Sequence, residues 1–308
     1  MKKKIIYSSL LSLAAVLALA SCGEAPAITN EEAQTKATAI KAKQAEEDFE
    51  KPTTFQLVGK MEEKLEINAK SADETEIVNT KQSVSVNSVY EYDLSHLYFH
   101  SNSKITQKST DSTSNEDQEY NMWLYVLENT MYMASSDSSE STYQTFSLEG
   151  LTSEAIAAQF VSILDSAFHL SSLVLGEEIL DIDSILKEYE LNDENKWEYD
   201  GGELYTLNIG LSVSKNTFTS KGDGNLGFVF NANGKSSEEG MSVEAKVSYS
   251  MEVNNYLLSS MDAEESIKLK VNSAEETGTV NCSAKSSTYL KLASFTVNYP
   301  DLTNFTAK

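Results

Sequence analysis

Apolar residues recur at every second position over long stretches of this chain, and that period confines the backbone to extended strands. Phe55, Leu57 and Gly59 alternate with Gln56, Val58 and Lys60, and Leu65 and Ile67 carry the pattern on. Val84, Val86 and then Val89 are interleaved with serine and asparagine. Successive side chains of a strand point to opposite faces, so each such ribbon is apolar on one side and polar on the other. Leu97, Phe99 and Ile105 lead into a Ser/Thr/Asp/Asn-rich interval at 109–117, which reads as a hairpin tip or loop. The run Trp123-Leu124-Tyr125-Val126-Leu127, a turn at Glu128-Asn129-Thr130 and the run Met131-Tyr132-Met133 predict an aromatic hairpin. Residues 143–148 close a first strand group over 55–148.

A helical period interrupts this rhythm over 152–190. No glycine or proline falls in 153–175, and Ile156, Phe160, Ile163, Ala167, Leu170 and Val174 follow at steps of three or four, which places them on one helical face. Thr152 or Ser153 caps that helix, and a second one runs from Asp181 or Asp183 to Glu190, with Ile182, Ile185, Leu186 and Tyr189 inward. Ahead of the strands, Thr29 is followed by Glu32 in capping-box spacing. The Ala/Lys/Glu/Gln-rich stretch to Glu50 then predicts a surface helix with a thin apolar face (Ala33, Ala37, Ile40, Phe49), ended by Pro52. A second strand group over 203–299 comprises strands at 204–213, 226–231, 241–257, 266–271, 277–282 and 289–299. Its turns fall at 222–225, 233–235 and 273–276.

The first residues carry an address. Lys2, Lys3 and Lys4 precede an apolar run from Ile5 to Ala20, too short for a stable bilayer span and suited to the core of a signal peptide. The run ends in Leu19-Ala20-Ser21-Cys22, which resembles the lipobox of bacterial lipoproteins. That resemblance implies cleavage between Ser21 and Cys22 and diacylglycerol on the Cys22 thiol, with palmitate-type chains as anchor. The chain then divides into a leader (1–21), a lipidated cysteine with a tether (22–30) and a single β-rich domain (31–308). The expected location is the extracytoplasmic face of a bacterial cell membrane.

Charge and composition narrow the partners. The net charge of −23 becomes −26 once the three leader lysines are removed, and there is no arginine to grip phosphate in a planar fork. Nucleic acid is therefore excluded as a partner. Absence of arginine also suits AT-rich codon usage and a Gram-positive-type envelope. With Cys22 committed to lipid, Cys282 has no disulfide partner; its setting in 279–284 reads as a strand and the thiol as a small buried hydrophobe.

A search for chemistry assigns no catalytic residue, metal site or cofactor. His96 and His100, read on one strand, would stand roughly 13 Å apart, too far for one ion. His169 follows Asp165 by four on a helix, where the two can pair. Ser184-Ile185-Leu186-Lys187 and Ser101-Asn102-Ser103-Lys104 match an SxxK pattern, but in a chain this rich in both residues, and without a K-T-G partner, they name no enzyme. Glu177, Glu178, Asp181, Asp183, Glu188 and Glu190 read as a solvated acidic face rather than a calcium loop. Of the aromatics in the first strand group (Tyr90, Tyr92, Tyr98, Tyr120, Trp123, Tyr125, Tyr132), most belong to the core on this reading.

The order helix, strands, two helices, strands, behind such a leader, resembles the LolA/LppX-like group of bacterial lipid carriers across most of the chain, in element order and composition. The fold class expected is β-rich α+β: a large curved antiparallel sheet, a half-barrel or cradle, covered by the N-terminal helix and the central helical insert. The resemblance implies a non-enzymatic protein that binds or carries an apolar ligand such as a lipid. Ile156, Phe160 and Ile163 on the insert, with Trp123 and Tyr125 on the hairpin, are the candidate contacts. A fully packed core would leave no such space. The alternative is an envelope interaction or adhesion module with no cavity, using strand edges or aromatic loops to meet another envelope protein; a hydrolase on this scaffold comes third. Replacing Cys22 with Ser is expected to abolish palmitate labelling and release the protein from the membrane fraction; an unchanged, membrane-bound product would refute the lipobox reading.

Overall fold

The period of two becomes strands far longer than the usual five or six residues. The computed structural model describes residues 25–71, 77–110, 116–176, 180–191, 196–199, 209–238, 240–273 and 276–308. A short β1 (Ala27–Ile28) and α1 (Asn30–Gln44) precede β2 (Thr54–Ser71), β3 (Ile77–Asp93), β4 (Tyr98–Ser109), β5 (Glu116–Leu127), β6 (Thr130–Ser136) and β7 (Ser141–Ser147). The insert supplies α2 (Ser153–Phe168), α3 (Leu170–Leu175) and α4 (Ile182–Glu188). The second group supplies β8 (Trp197–Tyr199), β9 (Ile209–Thr219), β10 (Leu226–Glu238), β11 (Met241–Asn254), β12 (Leu257–Asn272), β13 (Glu276–Lys291) and β14 (Thr306–Ala307).

All of these strands join one open, curved sheet in the order β1-β9-β10-β11-β12-β13-β2-β3-β4-β5-β6-β7-β14, with β8 alongside β9. The two strand groups meet where β13 pairs antiparallel with β2, from Glu276 opposite Ser71 to Lys291 opposite Gln56. Among the described residues only β14 runs parallel to its neighbour, β7. On the outer face Lys81 pairs with Glu66 (2.7 Å), Lys285 with Glu264 (2.8 Å) and Lys235 with Glu244 (2.7 Å), each pair directly opposed in its ladder. Each exposed pair contributes only a few tenths of a kcal/mol, but a slip of one residue would turn every inner side chain outward.

The helices pack on the inner face in two separate cores. Ala33, Ala37 and Ile40 of α1 and Ile182 and Ile185 of α4 lie against Phe218, Phe228, Phe230 and Met251. Ile156, Phe160 and Leu164 of α2, with Leu170 and Val174 of α3, lie against Phe55, Tyr92, Phe99 and Leu124. The capping box forms as expected: the Thr29 N–H donates to Glu32 Oε2 (2.8 Å) and the Glu32 N–H to Thr29 Oγ1 (3.2 Å). Buried Gln44 ties the two cores together, its Nε2 donating to the carbonyls of Leu175 (2.8 Å) and Tyr256 (2.6 Å).

Several local readings change. The first helix stops at Gln44, short of Glu50, because Glu46, Glu47 and Asp48 would put three anions at the negative end of its dipole. The helix expected over 153–175 breaks at His169, which is left-handed (φ 48°) and caps α2 through its N–H to the Asp165 carbonyl. Its buried face is also rotated: Ala167 is exposed, and Leu164 and Phe168 take the inner positions. The second helix ends at Glu188, with Asp181 as its cap.

The span 241–257 is two strands around Asn255-Tyr256, both left-handed (φ 50° and 65°), and 266–271 is the far end of β12. Asn233-Gly234-Lys235 lies inside β10 instead of turning. Gly234 is required there because a Cβ would stand 2.6 Å from the Gly210 carbonyl oxygen of β9. The strands expected at 277–282 and 289–299 are one, β13, which ends at Lys291; the chain then leaves the sheet. Residues 201–208, part of the expected strand at 204–213, lie outside the described residues.

The rotated face of α2 is open to test. Phe160→Ala is expected to cost about 3–5 kcal/mol in urea unfolding, and Ala167→Ser less than about 0.5 kcal/mol. Equal losses would mean that α2 packs by the face read from the sequence.

Candidate functional site

Between the two helical cores the inner face is floored by small side chains. Gly59 lies opposite Ser88 and Thr288, and Met61 opposite Ser286, which in turn faces Ala263. Small residues under the ends of α2 and α3 leave an open groove of about 360 Å³. Its walls are Leu57, Met61, Val86 and Tyr90 of the sheet and Phe168 and Leu173 of the helices. The volume falls at the low end of ordinary ligand sites, and the lining is largely apolar with a few hydroxyls.

Further along β12, β13 and β2 the inner face carries an aliphatic row, bordered on β3 by Gln82 opposite Leu65 and Thr80 opposite Ile67. Leu65 lies opposite Cys282, itself opposite Ile267; Ile67 lies opposite Val280, itself opposite Leu269. Leu65, Ile67, Val84, Val280 and Cys282 are half-buried and belong to neither packed core. Met61 and Val78 are exposed outright. From Gly59 to Ala69 this face extends ~33 Å along β2 at the usual rise per residue. Two half-buried carboxylates, Glu63 and Glu265, stand on either side of Ala284 and divide the groove from the aliphatic stretch beyond. Burial pushes the Cys282 thiol above its ordinary value.

The residues named from the sequence fall in different places. Ile156 and Phe160 are buried in the second core, and Ile163 is half-buried beside it. Trp123 and Tyr125 are on the outer face: Trp123 stacks on His100 (centroids 4.9 Å, 14° between planes), and Tyr125 stacks on Tyr132 (4.9 Å, 4°). None of the five lines the groove. Of the other aromatics, Tyr92 and Tyr98 are buried, Tyr90 and Tyr132 are half-buried and Tyr120 is exposed. Gly59, Ser88, Ser286 and Thr288, which make the groove floor, carry no signal in the sequence beyond small size at inner positions of the alternation. Ser21, Cys22, Glu177 and Glu178 lie outside the described residues.

Several polar groups singled out in the sequence have structural partners. His96 sits in the β3–β4 turn rather than on the strand that carries His100. Burial alone would raise the Asp93 carboxyl, but hydrogen bonds from Ser95 Oγ (2.6 Å), the His96 ring (2.8 Å) and the His96 N–H (3.1 Å) hold it below its ordinary value. His100 lies between Glu91 Oε2 (3.0 Å) and Asn121 Oδ1 (3.2 Å). Ser101 and Lys104 point to opposite faces of β4, and Ser184 Oγ donates to its cap Asp181 (2.8 Å). Among the described residues no three His, Cys, Asp or Glu side chains converge as a metal site would require, and no helix is long and apolar enough to cross a membrane.

No family model and no curated protein matches this chain. Among solved structures it is similar to one titled for lipid–protein interactions in lipovitellin, at 9% identity and a TM-score of 0.26, over 82% of this chain and 27% of that one. It is also similar to the translocator domain of the autotransporter NalP from Neisseria meningitidis, at 8% identity and a TM-score of 0.18, over 84% of this chain and 95% of that one. The chain thus spans about a quarter of the lipovitellin chain's length, and neither likeness carries an argument about function.

Cys282 reports on this face. Its raised pKa lowers the thiolate fraction at any given pH, so with Cys22 replaced by Ser, alkylation should lag behind that of free cysteine and accelerate only at more alkaline pH. A thiol reacting at the free-cysteine rate at pH 7.5 would place it on an open surface.

Proposed function

We propose that this chain is a membrane-anchored, extracytoplasmic, non-enzymatic lipoprotein whose inner sheet face binds or carries an apolar ligand such as a lipid. The observation that carries this reading is the groove floored by small residues, together with the aliphatic residues Leu65, Ile67, Val280 and Cys282 beyond Glu63 and Glu265, which belong to neither helical core. Apolar surface left facing water is unfavourable by about 25 cal/mol per Å², so a ligand covering ~300 Å² gains roughly 7 kcal/mol before the cost of association. The site needs no charged anchor for this, because burial without direction favours chains over shaped polar molecules. The lipobox supports the anchored location, since two acyl chains on Cys22 would hold the body at the membrane surface.

The test is native mass spectrometry of residues 22–308 with Cys22 replaced by Ser, purified without detergent, followed by titration with a fluorescent long-chain fatty acid. A lipid adduct, or saturable uptake of the probe, is expected. Gly59→Phe should weaken uptake at least tenfold, the backbone accepting the Cβ, which meets only the Ser88 Cβ at 3.9 Å, while the ring fills the groove. An apo mass together with no uptake of the probe would overturn the proposal.

A further inference from the structure

The segment 292–308 leaves β13 and crosses the outer face of β4–β7, on the opposite side of the sheet from the groove. None of its residues is buried, and none belongs to either helical core. Yet the side chains beneath it are closed off from water: Tyr98 is 0% exposed and Tyr125 2%. Three aromatic rings seat the segment. Phe295 and Tyr299 flank Tyr98 (6.2 and 5.7 Å), Tyr299 also covers Tyr125 (5.0 Å), and Phe305 meets Trp123 edge-on (6.1 Å).

Backbone contacts complete the seat. Tyr98 Oη donates to the Asn298 carbonyl (3.0 Å), β14 adds two residues in parallel to β7, and the Lys308 N–H donates to the Tyr143 carbonyl (2.9 Å). Lys308 Nζ lies 3.7 Å from Glu140. Rings in pockets together with main-chain pairing along a sheet edge is how sheets recognise extended peptides. Both helical cores are made without the segment, so its departure would leave the packing of the inner face intact.

We propose that the outer trough of β4–β7 is a docking site for an extended protein segment carrying aromatic anchors at spacings of four and six residues, and that 292–308 is its occupant in cis, an exchangeable strap. The partner is a polypeptide with those anchors and a basic group following the last. When it docks, it pairs with the edge of β7 in place of β14 and covers Tyr98 and Tyr125 in place of Tyr299. This holds whether or not the inner face binds lipid, since the trough shares no lining residue with the groove.

The experiment nicks the folded protein and so does not depend on a truncated chain folding. A site-specific protease sequence is inserted after Ala293, the purified full chain is cleaved, and a fluorescein-labelled peptide of residues 294–308 is added. After nicking, the peptide is expected to replace the strap in a saturable 1:1 complex. The uncut chain should bind it about 100-fold more weakly, because its tethered strap competes at high effective concentration. A peptide with Phe295→Ala, Tyr299→Ala and Phe305→Ala should not bind. A nicked strap that stays bound through days of incubation with excess peptide would make the segment a permanent element and overturn the proposal. Equal binding to cut and uncut chains would overturn it too, by placing the peptide elsewhere.

Discussion

Cross-strand register is the constraint on which the rest of this structure depends. Strands of up to 18 residues pair without slippage from β2 to β3 and from β13 to β2. In a ladder of period two, register decides which face every side chain occupies. Here it sends Lys60, Glu62, Lys64 and Glu66 outward and Leu57, Met61, Leu65 and Ile67 inward along a single strand. Individually weak Lys–Glu pairs matter because they sit at directly opposed positions, so a slipped ladder loses them while exposing its aliphatic row. The β13–β2 junction extends this logic across residues more than 200 apart in sequence, making one sheet of two strand groups.

A sheet with one apolar face requires a cover. This chain supplies one for part of the surface: α1 and α4 close over β9–β12, α2 and α3 close over β2–β6, and Gln44 bridges the two through backbone carbonyls. The long strands run past both covers. What remains uncovered is a groove at the root of the inner face and, beyond Glu63 and Glu265, an aliphatic row on β12, β13 and β2. On the outer face the strap does the reverse, since a segment with no buried residue closes over tyrosines that have almost no exposure.

Much of the architecture was legible from the residues. Alternation around Phe55–Leu57, the aromatic hairpin around Glu128-Asn129, the Thr29–Glu32 capping box and the amphipathic insert all appear, because each depends on neighbours within a few positions. The errors have specific causes. Asn233-Gly234 carries a turn signature, but the glycine answers to the Gly210 carbonyl of another strand. The turn at Asn255-Tyr256 has no glycine; Tyr256 is held in the left-handed region while its N–H donates to the Gly224 carbonyl (2.9 Å) and its own carbonyl accepts from Gln44. The break at His169 gave no signal because nothing local demands a left-handed residue there. The groove was illegible for a related reason: Gly59, Ser88 and Ser286 look like ordinary strand residues until three strands set them side by side.

By itself, the sequence determined the period of most segments, the polar and apolar sides of the long strands and the N-caps of α1, α2 and α4, since these follow from interactions over one to four residues. Its leader also resembles a lipobox, a linear pattern that needs no fold to be read. Tertiary structure alone decided that two strand groups would share one sheet, that the cover would stop short of the strand ends, and that Trp123 and Tyr125 would lie beneath residues 292–305 on the outer face rather than facing a ligand. Those outcomes depend on which distant surfaces meet. Packing between segments far apart in the chain sets them, and no local pattern encodes it.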